Sequence, residues 1–231
     1  MPFYPALLDL KDRLVLLVGG GRVAARKLDS LLEAGARVRL VSPELCPEAR
    51  ELAGSQGVEL MERGFEERDV EGAWLVISAT NDEELNRAVA RAAEAARVFV
   101  NVVDVPLMCS FIVPAVVRRG ELTIAVSTGG ASPAAARRLR QGLQGQFGPE
   151  WGDYLAILRA ARQKLTALGR PAAENRPLFY QLVDSELMEK VRGGDTAGVD
   201  EVLTGVLGTG FTLEDLGLAL GQGAAEGREP A

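Results

Sequence analysis

The stretch LVLLVGGGRVAARK, residues 14–27, decides how this chain folds. An apolar run leads into glycines and then into residues that favour a helix, with Gly19, Gly21 and Ala24 spaced as G-x-G-x-x-A. In such a turn Gly19 permits the tight bend, Gly21 lets the phosphates of a dinucleotide approach the main chain, and Ala24 keeps the helix near the strand. The N–H groups and dipole at the start of the helix favour an anion. A glycine turn can be purely structural, but its place in the first strand–helix unit favours nucleotide binding.

The first half of the chain alternates between apolar strands and helices. The predicted strands are Arg13–Val18, Arg37–Val41, Val58–Met61, Trp74–Ala79 and Val98–Val103, and the helices are Val23–Glu33, Pro47–Ala53 and Glu83–Ala95. Such alternation predicts right-handed βαβ units and a parallel sheet with helices on its faces. We therefore predict an α/β fold, a doubly wound parallel sheet of the Rossmann type.

The pattern changes after Asp104. Short predicted strands lie close together at Phe111–Val113, Val116–Val117 and Leu122–Ser127, which favours antiparallel pairing. A helix is predicted from Pro133 to about Gln146, and apolar residues recur at helical spacing from Pro149 onward. The prediction is three parts: a Rossmann domain over 1–113, a small α+β segment over 114–147, and a helical region over 148–231 with a disordered tail from about 221.

Composition excludes several classes of function. The net charge of −6 offers no electrostatic case for nucleic acid. The 231-residue sequence has no apolar run of about 18 residues and no signal-peptide pattern, so we predict a cytoplasmic protein without a membrane partner. The two cysteines, Cys46 and Cys109, are predicted to be reduced thiols. The absence of histidine removes Ser-His-Asp catalysis and His-ligated metal sites, and we predict no metal site.

The end of the second strand normally presents an acidic residue to the adenosine ribose of a bound dinucleotide. Here Ser42 occupies that place, followed by Pro43 and Glu44. Glu44 can reach the ribose hydroxyls, while Arg22 and Ser42 can tolerate a 2′-phosphate. These residues alone leave NAD and NADP equally open.

Polar residues follow two other predicted strands. Thr80 and Asn81 stand at the carboxyl end of Trp74–Ala79, where an open parallel sheet binds its cofactor, although Asn-Asp also forms plain turns. Asp104 lies just beyond Val98–Val103. In a chain without histidine, a partly desolvated carboxylate there can act as general base, and the alternative is an aspartate that ends the strand.

A second glycine-rich turn, Ser127–Pro133, opens the basic helix. Ser132 is predicted to cap that helix and Pro133 to occupy its first position. Arg137, Arg138 and Arg140 follow, and together with exposed N–H groups they can bind carboxylates or phosphates. A solvated basic face is the equal alternative.

Taken together, these segments resemble the precorrin-2 dehydrogenase family of siroheme synthesis, whose module also forms the N-terminal half of bifunctional siroheme synthases. The resemblance covers about residues 3–147, and the helical remainder fits the family in character only. The matching strings are LVGGGRVAARK (17–27), LLEAGARV (31–38), ATNDEELN (79–86), NVVDVPLMCSFIVPA (101–115) and AVSTGGASPAAARRLR (125–140).

The resemblance implies NAD⁺-dependent oxidation of precorrin-2 to sirohydrochlorin by a homodimer that exchanges contacts through residues 114–147. Asp104 matches the family's functional aspartate and is the predicted catalytic residue. The family commonly lacks an acid at the Ser42 position, which favours NAD. The predicted cofactor contacts are Gly19, Gly21, Arg22, Val23, Ser42, Pro43, Glu44 and Thr80. The predicted contacts to precorrin-2, a polycarboxylate, are Asn101, Ser127, Thr128, Ser132 and Arg137.

Three alternatives stay open. Some relatives also insert Fe²⁺ into sirohydrochlorin, and Asp104 can accept the pyrrole protons released in that step. A non-catalytic NAD-sensing module would bind nucleotide without turnover. A Rossmann enzyme for another small substrate would turn over NAD without a tetrapyrrole.

Overall fold

The strand that leads into the glycine turn, β1 (Leu14–Val18), is the central strand of a five-stranded parallel sheet. A computed structural model describes residues 3–221, and the expected tail from about 221 lies almost wholly outside them. The other strands are β2 (Arg37–Val41), β3 (Val58–Met61), β4 (Leu75–Ser78) and β5 (Phe99–Val102). The helices are α1 (Arg22–Glu33), α2 (Pro47–Ala53) and α3 (Glu83–Ala95), with 3₁₀ turns at Glu67–Val70 and Pro106–Met108.

The order of the strands is β3-β2-β1-β4-β5, so the chain winds outward from β1 in both directions. This order confirms the predicted doubly wound sheet of the Rossmann type. Val18 pairs with both Val41 and Ser78, and Ser78 pairs with Val102. The carboxyl ends of four strands therefore stand in one row, at the edge of the sheet where such folds bind their ligands.

Helices cover both faces of this sheet, which explains why β1 is apolar throughout. Successive side chains of a strand point to opposite faces. Leu17 accordingly packs in the cluster that contains Leu28 of α1, whereas Leu16 packs in the cluster that contains Val89 of α3. Ala24 is fully buried in the α1 cluster, as expected for the small residue that lets α1 approach the sheet.

The predicted elements of the first half agree with the structure to within one residue at each end, but the predicted strand Phe111–Val113 is wrong. The N–H groups of Ser110 and Phe111 both donate to Val100 O, at 2.8 and 3.4 Å, so no regular ladder forms. Pro114 follows and restricts the backbone of Val113.

Residues 109–111 instead cover the open edge of β5. The N–H of Val100 donates to Ser110 Oγ at 2.7 Å, and the N–H of Val102 donates to Cys109 Sγ at 3.2 Å. Burial raises the pKa of the Cys109 thiol. The thiol therefore stays protonated and donates to Val102 O at 3.2 Å.

Contacts divide the described chain into two compact units. The first unit comprises residues 3–114 and 129–131, and the second comprises 115–128 and 132–221. In the second unit, β6 (Ala115–Arg119) and β7 (Leu122–Val126) form the predicted antiparallel pair. Its helices are α4 (Pro133–Gln146), α5 (Glu150–Ala167), α6 (Ala172–Val183), α7 (Leu187–Arg192) and α8 (Thr196–Leu207). The division into 1–113, 114–147 and 148–231 stays a prediction.

A buried ion pair fastens the 3₁₀ turn at Glu67–Val70, and its loss should destabilise the first unit. Asp69, 2% exposed, accepts hydrogen bonds from Arg63 Nη2 at 2.6 Å, Arg63 Nη1 at 2.8 Å and the Glu66 N–H at 2.8 Å. We expect Asp69→Asn to cost about 3 kcal/mol in free energy of unfolding because a charged guanidinium loses its buried partner. Urea denaturation at pH 7 measures the cost.

The exposed, two-pronged pair of Arg50 with Glu62 provides the control, since Glu62→Gln should cost less than about 1 kcal/mol. Burial alone would raise the pKa of Asp69, but its bonds to Arg63 and Glu66 and the charges of Arg63 and Arg39 hold that pKa below its usual value. A depressed pKa stabilises the fold above the unfolded pKa of about 3.9 and stops doing so as the pH falls through the folded pKa. Equal costs for the two variants, or a cost for Asp69→Asn that grows on acidification, would contradict this account.

Candidate functional site

Gly19 makes the sharp turn between β1 and α1. Its φ of +118° is one that side chains rarely adopt, and its N–H donates to Val41 O at 2.9 Å. A Cβ at this position would lie 2.4 Å from Ala79 O. Gly19 is therefore held between the ends of two neighbouring strands, and only glycine fits there.

Gly20, which the motif leaves unspecified, is the most tightly packed residue of the turn. A Cβ on Gly20 would lie 2.0 Å from Glu44 O and 2.7 Å from Ser42 Oγ. Its carbonyl accepts a hydrogen bond from the Cys46 N–H at 2.8 Å. Gly20 thus supports the loop that follows β2, a role that sequence reasoning missed because the spacing G-x-G-x-x-A treats this position as variable.

Gly21 differs from the other two glycines because it faces open space. It is exposed, has an ordinary φ of −80°, and a Cβ there would meet no atom within 4 Å. It precedes α1, whose first turn contains no acidic residue and begins with the exposed Arg22 and the half-buried Val23. Helix N–H groups, the helix dipole and a guanidinium all favour an anion here. The residues fit a pyrophosphate.

The loop after β2 combines a buried serine with an exposed acid. Ser42 is buried, and its hydroxyl donates to Glu44 O at 2.7 Å. Ser42 therefore shapes the loop, while Pro43 and the Glu44 side chain are exposed at the end of the strand. The nearest charge to Arg22 is Glu48, at 4.0 Å between Nε and Oε1, and both side chains are largely exposed.

A buried polar pair holds the loop after β4. Ser78 Oγ donates to Asn86 Oδ1 at 2.7 Å, and Asn86 Nδ2 donates to Thr80 O at 3.1 Å. Thr80 Oγ1 accepts from the Asp82 N–H at 3.2 Å, and Asp82 in turn caps α3. Thr80 is thus half-buried at the ligand edge of the sheet, and Asn86 is a positioning residue that the sequence analysis did not single out.

Asp104 stands at the same edge of the sheet, two residues beyond β5. The N–H of Val103 donates to Ser78 O at 2.9 Å, which fixes the start of the loop. Asp104 itself has a φ of +62°, unusual for a residue with a side chain. The expectation of a partly desolvated carboxylate is wrong for this chain, because Asp104 is exposed. Asn101 Nδ2 donates to Phe111 O at 3.0 Å, so its amide holds the segment that covers β5.

Lys27 is a second charged residue that the sequence analysis passed over. It is half-buried on α1. Burial lowers the pKa of its ammonium, the charge of Arg26 lowers it further, and the carboxylate of Asp104 acts in the opposite direction. Only helical periodicity, which places position 27 beside the buried face of α1, could have indicated this site.

In the second unit, the turn before α4 is as predicted at its helix cap. Ser132 Oγ accepts from the Ala135 N–H at 3.1 Å, and Pro133 begins the helix. Thr128 Oγ1 accepts from the Ser132 N–H and donates to Ser132 O, each at 3.1 Å. Ser127 and Arg137 are exposed, whereas Arg140 is buried and does not belong to the exposed basic face.

Two searches over residues 3–221 returned nothing. No cluster of three or more Cys, Asp or Glu side chains in this range could hold a metal ion. Among the helices of the same range, none has the length and hydropathy needed to cross a membrane.

Known proteins similar to this chain agree with these features. The NAD(P)-binding family model matches residues 6–115, and the model of the sirohaem biosynthesis protein central domain matches residues 119–146. Siroheme synthase from Thioalkalivibrio sulfidiphilus is 40% identical over 94% of this chain. The solved structure of SirC, a precorrin-2 dehydrogenase, superposes with a TM-score of 0.74 at 25% identity, covering 88% of this chain and 98% of SirC. The chain belongs to the precorrin-2 dehydrogenase family.

The family's other members extend this likeness. Siroheme synthase from Pseudomonas paraeruginosa is 40% identical over 88% of the chain. The chain spans 44% of the length of each of these two synthases. For a precorrin-2 dehydrogenase family member, the match over 6–115 makes the first unit a domain for a nicotinamide dinucleotide, NAD or NADP.

Proposed function

We propose that this protein oxidises precorrin-2 to sirohydrochlorin with NAD⁺ in siroheme biosynthesis. The observation that carries the proposal is the placement of the open glycine turn and Asp104 at one edge of a single parallel sheet. The fold's agreement with nearly the whole of a precorrin-2 dehydrogenase structure supports the choice of substrate.

The reaction removes a hydride and a proton from the macrocycle. Bound NAD⁺ supplies the hydride acceptor, so the protein must position two partners and take one proton. Asp104 is the proposed base: it is exposed at the ligand edge, and its positive φ presents the carboxylate from a fixed loop. The half-buried Thr80 and the exposed Gly21 and Arg22 line the proposed cofactor side.

We assign NAD rather than NADP on the loop after β2. Glu44 presents an exposed carboxylate there, which accepts hydrogen bonds from ribose hydroxyls and repels a 2′-phosphate. The buried Ser42 hydroxyl is already bonded to Glu44 O, which leaves Arg22 as the one predicted contact that favours a phosphate.

The remaining contacts complete the proposal. Asn101 in the first unit and Ser127, Thr128, Ser132 and Arg137 in the second are proposed contacts to the substrate's carboxylates. Residues 114–147 are proposed as the dimerisation segment of a homodimer. A cytoplasmic enzyme without nucleic-acid or membrane partners agrees with the net charge of −6 and with the free thiols Cys46 and Cys109.

Iron insertion into sirohydrochlorin is the second candidate, favoured by the exposure of Asp104. An exposed carboxylate can accept pyrrole protons as readily as it accepts the proton of the oxidation step. Here Fe²⁺ would be a substrate.

Anaerobic incubation with precorrin-2 and NAD⁺, without metal, tests the function. NADH and macrocycle absorbance are followed together, with NADP⁺ in a parallel reaction. We expect one NADH per sirohydrochlorin and much slower turnover with NADP⁺. Adding Fe²⁺ to the finished reaction then tests chelation. Binding of NAD⁺ without any turnover would contradict the enzyme and favour a nucleotide-sensing module, and turnover without a tetrapyrrole would indicate another substrate.

A further inference from the structure

Lys27 occupies an unusual place for a charged side chain. It lies on α1, between the exposed Arg26 and the fully buried Leu28. Side chains of a helix lean toward its N-terminus. The N-terminus of α1 stands at the ligand edge of the sheet, so the Lys27 ammonium is directed along the helix toward that edge.

Asp104 comes to the same side of the sheet. Val103, the residue before it, packs against the cluster that contains Leu28 and Leu31 of α1, and Phe111 at the far end of the loop packs there too. The loop of Asp104 is thus seated on the α1 face, and the Asp104 charge acts on Lys27.

The described chain gives Lys27 little else to bind. Within residues 3–221 its ammonium makes no direct hydrogen bond or ion pair, and the charges that act on it are Arg26 from its own helix and Asp104. On α2, which packs against α1, Glu48 stands beside Arg22. A half-buried cation left unpaired beside an exposed carboxylate is the geometry of a charge pair that closes when a ligand excludes water.

We propose that Lys27 is a positioning residue for Asp104: its ammonium holds the carboxylate ionised and oriented when the macrocycle covers it. The inference rests on the proposed function of Asp104. Covering a carboxylate with an apolar ring raises its pKa, and a neighbouring cation opposes that rise. The base therefore stays ready to accept the proton, which leaves the carbon and is carried on Asp104 until water returns.

Kinetics of a charge-removing variant test the pair. Lys27→Met keeps the length of the side chain, Lys27→Arg keeps the charge, and Arg26→Met removes the exposed neighbouring cation as a control. In Lys27→Met we expect the acidic limb of kcat against pH to move up by about one pH unit, because an opposite charge lowers the pKa of a carboxyl by about that amount. The KM for NAD⁺ should not change. Lys27→Arg and Arg26→Met should retain the wild-type limb.

A second measurement needs no turnover. The Lys27 ammonium is titrated by NMR in the unliganded protein, where Asp104→Asn should lower its pKa and Arg26→Met should raise it, since the two neighbours act in opposite directions. An unchanged Lys27 titration in Asp104→Asn would overturn the pair. So would an unmoved acidic limb with a raised KM for NAD⁺, which would assign Lys27 to the cofactor. If the wild type fails to oxidise precorrin-2 while the titration behaves as expected, the proposed function fails and the pair stands.

Discussion

Gly21→Ala should fold normally and bind NAD⁺ at least about tenfold more weakly, the equivalent of one lost hydrogen bond. The reason is the open space at this residue: a methyl group meets no protein atom within 4 Å and fits the φ of −80°. The free energy of unfolding should therefore change by less than about 0.5 kcal/mol. The methyl group stands instead where the pyrophosphate must approach the backbone.

Gly20→Ala is the matched comparison one residue away. Its methyl group would lie 2.0 Å from Glu44 O, a backbone atom that cannot move without the whole loop. We expect a loss of about 3 kcal/mol or more in free energy of unfolding. Calorimetric NAD⁺ titration and urea denaturation of both variants separate the two effects. A stable Gly21→Ala protein with wild-type affinity would show that the cofactor does not use this turn.

Asp104→Asn should lower kcat for precorrin-2 oxidation by about a hundred- to ten-thousandfold, the usual contribution of a general base. The variant should fold, because asparagine tolerates the φ of +62° at this position. Its dissociation constant for NAD⁺ should match that of the wild type, because the expected loss concerns the proton and not the cofactor. Single-turnover absorbance measurements with saturating NAD⁺ determine the rate.

Asp12 provides the control for this substitution. It is also an exposed aspartate with positive φ, +59°, but it precedes β1 and so lies at the opposite end of the strands from Asp104. Asp12→Asn should therefore leave the rate unchanged. Comparable rates for Asp104→Asn and the wild type would remove Asp104 from the chemistry and leave the hydride transfer without an assigned base.

Much of the fold could be predicted because its signals are local and strong. A strand buried on both faces is apolar throughout, as β1 is, and Gly35, in a positive-φ conformation, follows the end of α1. Phe111–Val113 shows where this reasoning fails. Its β-branched residues suit a strand, but the segment is held by hydrogen bonds to Val100, ten residues away.

The candidate site was predictable in its residue types but not in its environment. Spacing identifies Gly19 and Gly21, yet the packing of Gly20 depends on the loop after β2, which is distant in sequence. The exposure of Asp104 and the half-buried state of Lys27 depend in the same way on how a loop meets a helix. Such tertiary effects leave no periodic trace in the sequence.

The cover over β5 has a consequence for association between molecules. An outermost strand normally offers unpaired backbone groups to any passing chain, and such edges nucleate aggregation. Here Cys109 and Ser110 occupy the outward N–H groups of Val102 and Val100. The segment that carries Asp104 at its start therefore also closes this side of the sheet against intermolecular strand addition, so that a mutation loosening it would threaten solubility as well as catalysis.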